Sequence, residues 1–147
     1  MKKRLEITLP QGWADCSEEN AGGPTYLREL SADPGPLQVS WAEYTGGKVP
    51  DPSADDLAEM SRDLGADQDF GELIESDGGV CDFGRLGTAV FRSQEQRVQI
   101  WHLSNGKDFI TATHIGPRDP DPEELCEVQE IVRTLNLKEG KSKWKFW

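Results

Sequence analysis

The central part of this chain, residues 97–115, holds Leu103-Ser104-Asn105-Gly106-Lys107-Asp108-Phe109 between two apolar runs. An Asn-Gly pair flanked by alternating apolar residues is the strongest short-range signal for a β-hairpin. Residues 97–103 and 109–115 are therefore predicted to be two antiparallel strands, and the rest of the predicted fold is built outward from them.

The turn in this hairpin determines how the chain's two histidines are placed. With a two-residue turn, His102 faces Phe109, and His114 faces Arg97 on the opposite side of the sheet. With a three-residue loop the histidines share a face but lie about four strand positions, or roughly 13 Å, apart. Neither register lets them bind one metal ion, and no partner motif for a Ser-His-Asp triad is recognisable. We therefore predict no metal site, no catalytic residues and no cofactor.

Further strands are predicted where apolar side chains alternate or where turn residues bound a short apolar run. They cover residues 5–9, 25–30, 37–44, 72–76, 80–82 and 86–92. Asp77-Gly78-Gly79 is typical of a turn, and Gly84 and Gly87 suggest a bulge or bend. Arg28 and Glu29 leave little room for an apolar face on the second of these strands.

Two helices complete the pattern. The first begins at Asp51-Pro52 or at Ser53, carries an apolar stripe and is predicted to stop at Gly65. The second begins with Asp121 as the cap, followed by Pro122, and Glu124 is expected to complete a capping box. Their stripes are Leu57, Met60 and Leu64 in the first helix, and Leu125, Val128, Ile131 or Val132, and Leu135 in the second.

This order of elements predicts an α+β fold, with a twisted antiparallel sheet of about six to seven strands and helices packed on its faces. Residues 1–137 are predicted to form one such domain. Residues 138–147 form a separate basic, aromatic C-terminal segment.

Composition limits the classes of function. The 147 residues carry 16 Lys and Arg against 27 Asp and Glu, a net charge of −11. Such an acidic chain is not expected to bind nucleic acid broadly, because that requires concentrated basic residues. Five Trp, two Tyr and five Phe argue against disorder despite an apolar content of only 35%. No apolar run approaches the roughly 20 residues of a membrane-spanning helix, so no stable membrane insertion is expected.

The N-terminus and the cysteines both indicate a cytoplasmic protein. Met1-Lys2-Lys3-Arg4 is followed by Glu6, Thr8 and Pro10 rather than by the apolar run of a signal peptide. The three cysteines are widely spaced, odd in number and without a C-x-x-C pair, which disfavours a disulfide framework. Each is expected to be a buried or half-buried apolar residue rather than a reactive thiol. They are Cys16, Cys81 and Cys126.

The C-terminus has a different character from the rest of the chain. Lys141-Ser142-Lys143-Trp144-Lys145-Phe146-Trp147 alternates lysine with other side chains, as an amphipathic strand does. It is either an edge strand whose lysines prevent aggregation or an exposed anchor for a partner. Trp144, Phe146 and Trp147 are the candidate partner-binding residues, and pairing through this segment would make a homodimer.

The chain resembles the PsbP-like superfamily. The resemblance rests on the opening Ile7-Thr8-Leu9-Pro10-Gln11-Gly12-Trp13, the helix after the third strand, the long central strands, and the closing Ile131-Val132-Arg133-Thr134-Leu135. It spans most of residues 4–137. That superfamily includes a Ran-binding import factor, photosystem subunits and effector chaperones of bacterial type VI secretion. The resemblance implies a binding scaffold without catalytic machinery, and it assigns no partner-binding residue.

Three functions follow as hypotheses. The favoured one is a small non-catalytic protein-binding module, such as a chaperone, an adaptor or an immunity-type protein, whose acidic surface steers a basic protein partner. The second is an enzyme that uses clustered carboxylates. The third is a carrier of a small ligand or lipid, with a cavity between sheet and helix. The clustered carboxylates are Glu72, Glu75, Asp77 and Asp82.

Overall fold

A computed structural model describes residues 3–19 and 23–139 of the chain. The described residues form nine β-strands, two α-helices and one short 3-10 turn. The strands are β1 (Lys3–Glu6), β2 (Trp13–Asp15), β3 (Thr25–Arg28), β4 (Leu37–Ala42), β5 (Glu72–Cys81), β6 (Gly84–Arg92), β7 (Gln96–Ser104), β8 (Phe109–Pro117) and β9 (Asn136–Glu139). The helices are α1 (Ala54–Asp67) and α2 (Pro122–Arg133), and the 3-10 turn is Ser17–Glu19.

Seven strands form one antiparallel sheet in the order β2-β3-β4-β8-β7-β6-β5. Strands β1 and β9 pair with each other in a separate two-stranded sheet. The predicted α+β class and strand number are therefore confirmed. None of the helices in the described part of the chain is both long enough and apolar enough to cross a membrane.

The hairpin predicted from Asn105-Gly106 is present as β7 and β8, but both the two-residue turn and the three-residue loop considered for it are wrong. Ser104 pairs with Phe109, so residues 105–108 form the loop. The Asn105 side chain accepts hydrogen bonds from the backbone N–H groups of Lys107 and Asp108, at 3.0 and 2.8 Å. This arrangement satisfies the loop backbone with a side chain instead of a tight turn.

Strand β5 runs without interruption through Asp77-Gly78-Gly79, so the turn predicted there is also wrong. The chain reverses only after Cys81, which pairs with Gly84. Gly78 lies directly opposite Gly87 on β6. A Cβ on Gly87 would collide with the backbone of Ala58 in α1. These glycines therefore allow a helix to cross the sheet closely rather than allowing the chain to turn.

Helix α1 begins as predicted and ends later than predicted. Ser53 accepts a hydrogen bond from the N–H of Asp56, whose carboxylate accepts one from the N–H of Ser53, which completes a capping box. Gly65 is buried inside the helix, where a Cβ would overlap the ring of Phe91. The predicted stop at Gly65 is wrong because this glycine makes room for an aromatic ring.

The two helices cover opposite faces of the sheet. Helix α1 packs on the face that carries Gly87, Phe91 and Ile100, whereas α2 packs on the alternate residues of the same strands. The α2 stripe buries Val128, Ile131, Val132 and Leu135 as predicted, while Leu125 is half-buried. The core on the α2 face is made of Tyr26, Leu37, Val39, Phe83, Trp101, Leu103, Ile110 and Ala112 together with the α2 stripe.

Candidate functional site

One long edge of the main sheet has no partner strand among residues 3–19 and 23–139. This edge is the outer side of β5, which is ten residues long. Its apolar side chains are partly in solvent: Val80 is 72% exposed, Ile74 47% and Leu73 43%. Ile74 is bulged out between the paired residues Leu73 and Glu75. A free edge of this length with exposed apolar side chains can pair with another strand.

A groove of about 400 Å³ runs beside β5 on the α2 face of the sheet. Two of the four clustered carboxylates, Glu75 and Asp77, line it, while Glu72 and Asp82 do not. The other lining residues are Gly78, Gly79, Val80, Leu86, Thr88, Gln99, Trp101, Gln129 and Arg133.

The polar side chains on the inner wall of this groove form hydrogen bonds with one another. Gln99, only 3% exposed, accepts hydrogen bonds from Gln129 and Arg97, and its amide nitrogen donates to Thr88. Burial lowers the pKa of the Arg97 guanidinium, and the nearby Glu75 carboxylate opposes this shift. Because the amide groups of the two glutamines hydrogen-bond to each other, the carboxylates of Glu75 and Asp77 are the groups in the groove that can bind an incoming cation.

A second concave region lies on the other face of β5. This notch, of about 540 Å³, is open to solvent and lies where the N-terminus of α1 meets β5, with Ala54 packed on Gly78. Its lining residues are Ser53, Ala54, Asp55, Asp77, Gly78, Gly79, Val80 and Arg85. We use the term β5 surface for the outer edge of β5 with this groove and this notch.

His102 lies beneath α1 and contacts a serine. Its Nδ1 is 2.8 Å from the Oγ of Ser61, which also donates to the carbonyl of Gly87 at 3.3 Å. Ser61 is fully buried, and burial lowers the pKa of His102. No substrate can reach this hydroxyl, so the pair joins α1 to the sheet rather than forming a nucleophile.

His114 lies on the opposite face, as the two-residue turn predicted, although its strand partner is Gln99 rather than Arg97. Its Nε2 is 2.7 Å from Glu124 Oε2, which also accepts from the N–H of Gly35 at 3.1 Å. The capping-box role predicted for Glu124 is therefore wrong, because its side chain turns inward. Burial raises the pKa of Glu124, but hydrogen bonds from His114 and Gly35 overcome this effect and leave the pKa below its usual value.

Arg28 is a structural residue that sequence reasoning missed. It was interpreted as weakening β3, yet it is buried where β3 meets α2. Its guanidinium contacts Asp121, Glu123 and Glu127 at 3.0–3.3 Å, and Glu127 also accepts from the indole of Trp13. An arginine among alternating residues gave no signal of this arrangement, because all three carboxylates lie more than 90 residues away in the chain.

The cysteines and the C-terminal aromatics complete the set of predicted residues. Cys81 is half-buried in β5, and burial raises the pKa of its thiol. Cys126 is exposed on α2, so the expectation that it would be buried or half-buried is wrong. The candidate partner-binding residues Trp144, Phe146 and Trp147 lie outside the described residues.

Comparison with known proteins identifies the fold. The chain is similar to the solution structure of cyanobacterial PsbP from Synechocystis sp. PCC 6803, with a TM-score of 0.54, 15% identity, and coverage of 93% of this chain and 92% of that one. It is also similar to LpqN of Mycobacterium tuberculosis, a protein involved in cell envelope biogenesis, with a TM-score of 0.58, 10% identity, and coverage of 94% and 85%. The predicted PsbP-like fold is confirmed.

A third similar structure comes from Bacteroides thetaiotaomicron, with a TM-score of 0.53 and 14% identity. The alignment covers 97% of this chain but only 50% of that one. No protein-family model and no curated protein sequence matches the chain. At these identities the comparisons establish a shared fold and carry no functional residue across.

Proposed function

We propose that this chain, which has the PsbP-like fold, is a non-catalytic protein-binding module that captures an extended segment of a partner at the β5 surface. The observation that carries the proposal is the unpaired outer edge of β5 (Glu72–Cys81). Backbone N–H and C=O groups on such an edge supply hydrogen bonds to an added strand, and side-chain pockets beside it supply selectivity. A chaperone, an adaptor or an immunity-type protein can act in this way.

The chemistry of the β5 surface favours a partner that is basic and partly apolar. The strand contains Glu72, Glu75 and Asp77 and no basic residue. Arg133 lines the groove, and Arg85 lines the notch 3.3 Å from the Asp51 carboxylate. A third arginine, Arg62 of α1, donates a hydrogen bond to Ser76 of β5 at 2.8 Å. Apolar side chains of the partner would pack on Val80. Opposite charges would speed the encounter and select the partner.

The alternative functions have weaker support. Glu75 and Asp77 do share a groove, but that groove is open to solvent, and its amide and threonine side chains are bound to one another. A carrier of lipid would need space between sheet and helix, yet Gly65 and Gly87 bring α1 into direct contact with the sheet. We therefore favour protein binding over catalysis and over transport of an apolar ligand.

The proposed function is tested by capturing partners with the full chain and with charge-reversed variants. The double variant Glu75→Lys/Asp77→Lys is expected to lose more than about nine tenths of the partner bound by the unaltered chain. Glu59→Lys/Asp63→Lys makes the same change of charge on the exposed face of α1 and is the matched control, expected to keep the partner. Amide hydrogen exchange of the complex should show protection along residues 72–81.

Two results would contradict this proposal. One is a partner that both double variants retain equally and that leaves the amides of β5 unprotected. The other is a turnover activity of the chain that disappears in Glu75→Gln or Asp77→Asn, because these substitutions keep the shape of the groove and remove its carboxylates.

We also propose a cytoplasmic location. Cys81 and Cys126 are free thiols, which is typical of proteins kept in a reducing compartment. Cell fractionation with thiol labelling is expected to find the protein in the cytoplasm with both thiols reduced. Recovery from an oxidising compartment would contradict this location.

A further inference from the structure

The β5 surface and the C-terminal basic segment, residues 141–147, have complementary chemistry. Between Glu75 and Cys81 the paired part of β5 is regular, because its bulge lies before Glu75. The C-terminal basic segment is equally long and carries Lys141, Lys143 and Lys145 in alternation with Ser142, Trp144 and Phe146. A strand with this alternation would present the three lysines and Trp147 to one face of the sheet, and the serine with Trp144 and Phe146 to the other.

The two concave regions beside β5 match these two rows of side chains. The groove on the α2 face carries Glu75 and Asp77, which suits the row of lysines. The notch on the α1 face lies between Ala54, which packs on Gly78, and the exposed Val80. Because the notch is open to solvent, an aromatic ring of an added strand could pack there against Val80.

The C-terminal basic segment cannot lie along β5 of its own copy over its full length. Glu139 pairs with Lys3, whose backbone N–H donates to Glu43 at 3.0 Å and whose ammonium group contacts Asp108. Glu43 and Asp108 adjoin β4 and β8, and a strand added outside β5 lies four interstrand spacings, or about 19 Å, from β8. Lys141 is two residues beyond Glu139, hence within about 7 Å of it.

We propose that the C-terminal basic segment pairs with the outer edge of β5 in a second copy of this chain. Two copies exchanging their segments reciprocally would form a closed dimer, in which each copy contributes one strand to the sheet of the other. This inference rests on the proposed function, since it names an occupant for the same β5 surface. The occupied surface would be closed to other partners until the segment is displaced.

The test uses the oligomeric mass of the full chain, measured by light scattering. The unaltered chain, with a monomer mass of 16.4 kDa, is expected at twice that mass at tens of micromolar. The dissociation constant of the dimer should rise about tenfold or more between low and high salt, because salt screens exposed charge pairs. Glu75→Lys/Asp77→Lys is expected to be monomeric, and the matched control Glu59→Lys/Asp63→Lys to remain dimeric.

A charge swap identifies the pairing directly. In the variant Lys141→Glu/Lys143→Glu/Lys145→Glu, the acidic segment of one copy would meet the acidic β5 surface of the other copy. This variant should therefore be monomeric. Mixing it with Glu75→Lys/Asp77→Lys restores opposite charges at both contacts, so a dimer containing one copy of each should form. Circular dichroism and thermal unfolding of each variant verify that both are folded.

Several outcomes would overturn the inference. The first is an unaltered chain that is monomeric at 100 μM. The second is a dimer that persists in both Glu75→Lys/Asp77→Lys and Lys141→Glu/Lys143→Glu/Lys145→Glu. The third is that these two variants stay monomeric when they are mixed. A monomer in which the lysine substitutions deprotect the amides of β5 would instead place the segment on its own copy. The proposed function is judged separately, because a foreign partner that protects β5 would uphold it even if the chain never dimerises.

Discussion

Replacing Gly87 with alanine is expected to lower the free energy of unfolding by about 3–5 kcal/mol, one of the largest effects of any single methyl group in this protein. The added Cβ would overlap the backbone nitrogen and Cα of Ala58 and the carbonyl carbon of Leu57. Backbone atoms cannot move aside as the end of a side chain can. Helix α1 would have to lift away from β6, and this would loosen the buried contact between Ser61 and His102.

Gly79→Ala is the matched control for this substitution. Gly79 also lies in the main sheet, but a Cβ there would have no heavy atom within 4 Å. The free energy of unfolding should therefore change by no more than about 1 kcal/mol, and in the direction of greater stability, because alanine restricts the unfolded chain. Urea unfolding of both variants provides the comparison. Equal stabilities would contradict the close crossing of α1 over β6.

Replacing Glu124 with alanine is expected to cost about 2–4 kcal/mol of stability. The carboxylate is 1% exposed and accepts from both His114 and the N–H of Gly35. Alanine would leave these two donors buried without a partner. Glu130→Ala, on the exposed side of the same helix, is the control and should change stability by less than about 0.5 kcal/mol.

The same carboxylate predicts a dependence of stability on pH. Its pKa is lowered in the folded protein, so its contribution is fully present above its unfolded pKa of about 4.3 and is lost as the pH falls through the folded value. Glu124→Gln removes this titration while keeping an acceptor for Gly35. The difference in free energy of unfolding between the unaltered chain and Glu124→Gln should shrink as the pH falls below about pH 4. A difference that does not change with pH would contradict the lowered pKa.

Local signals in the sequence were sufficient to predict the fold class and most of its elements. A helix start at Ser53 and a cap at Asp121 depend only on neighbouring residues, and the structure confirms both. The alternation in residues 5–9 predicted a strand there, but β1 ends at Glu6. The hairpin around Asn105-Gly106 was also predicted, because its strands are adjacent in the chain. The candidate site was only partly predicted: Glu75 and Asp77 were selected within a group of four carboxylates, but the free edge that they flank was not recognised.

The remaining errors concern residues whose roles depend on distant partners. Gly65 was predicted to stop a helix and Gly78 to form a turn, because glycine favours both positions. In the folded protein Gly65 makes room for Phe91, and Gly78 lies beneath the first residue of α1. Arg28 and Glu124 likewise carry charges that suggest solvent exposure, yet their partners lie tens of residues away along the chain. Periodicity and turn chemistry are local properties, whereas the packing of α1 against the sheet and the unpaired edge of β5 exist only once distant segments have come together.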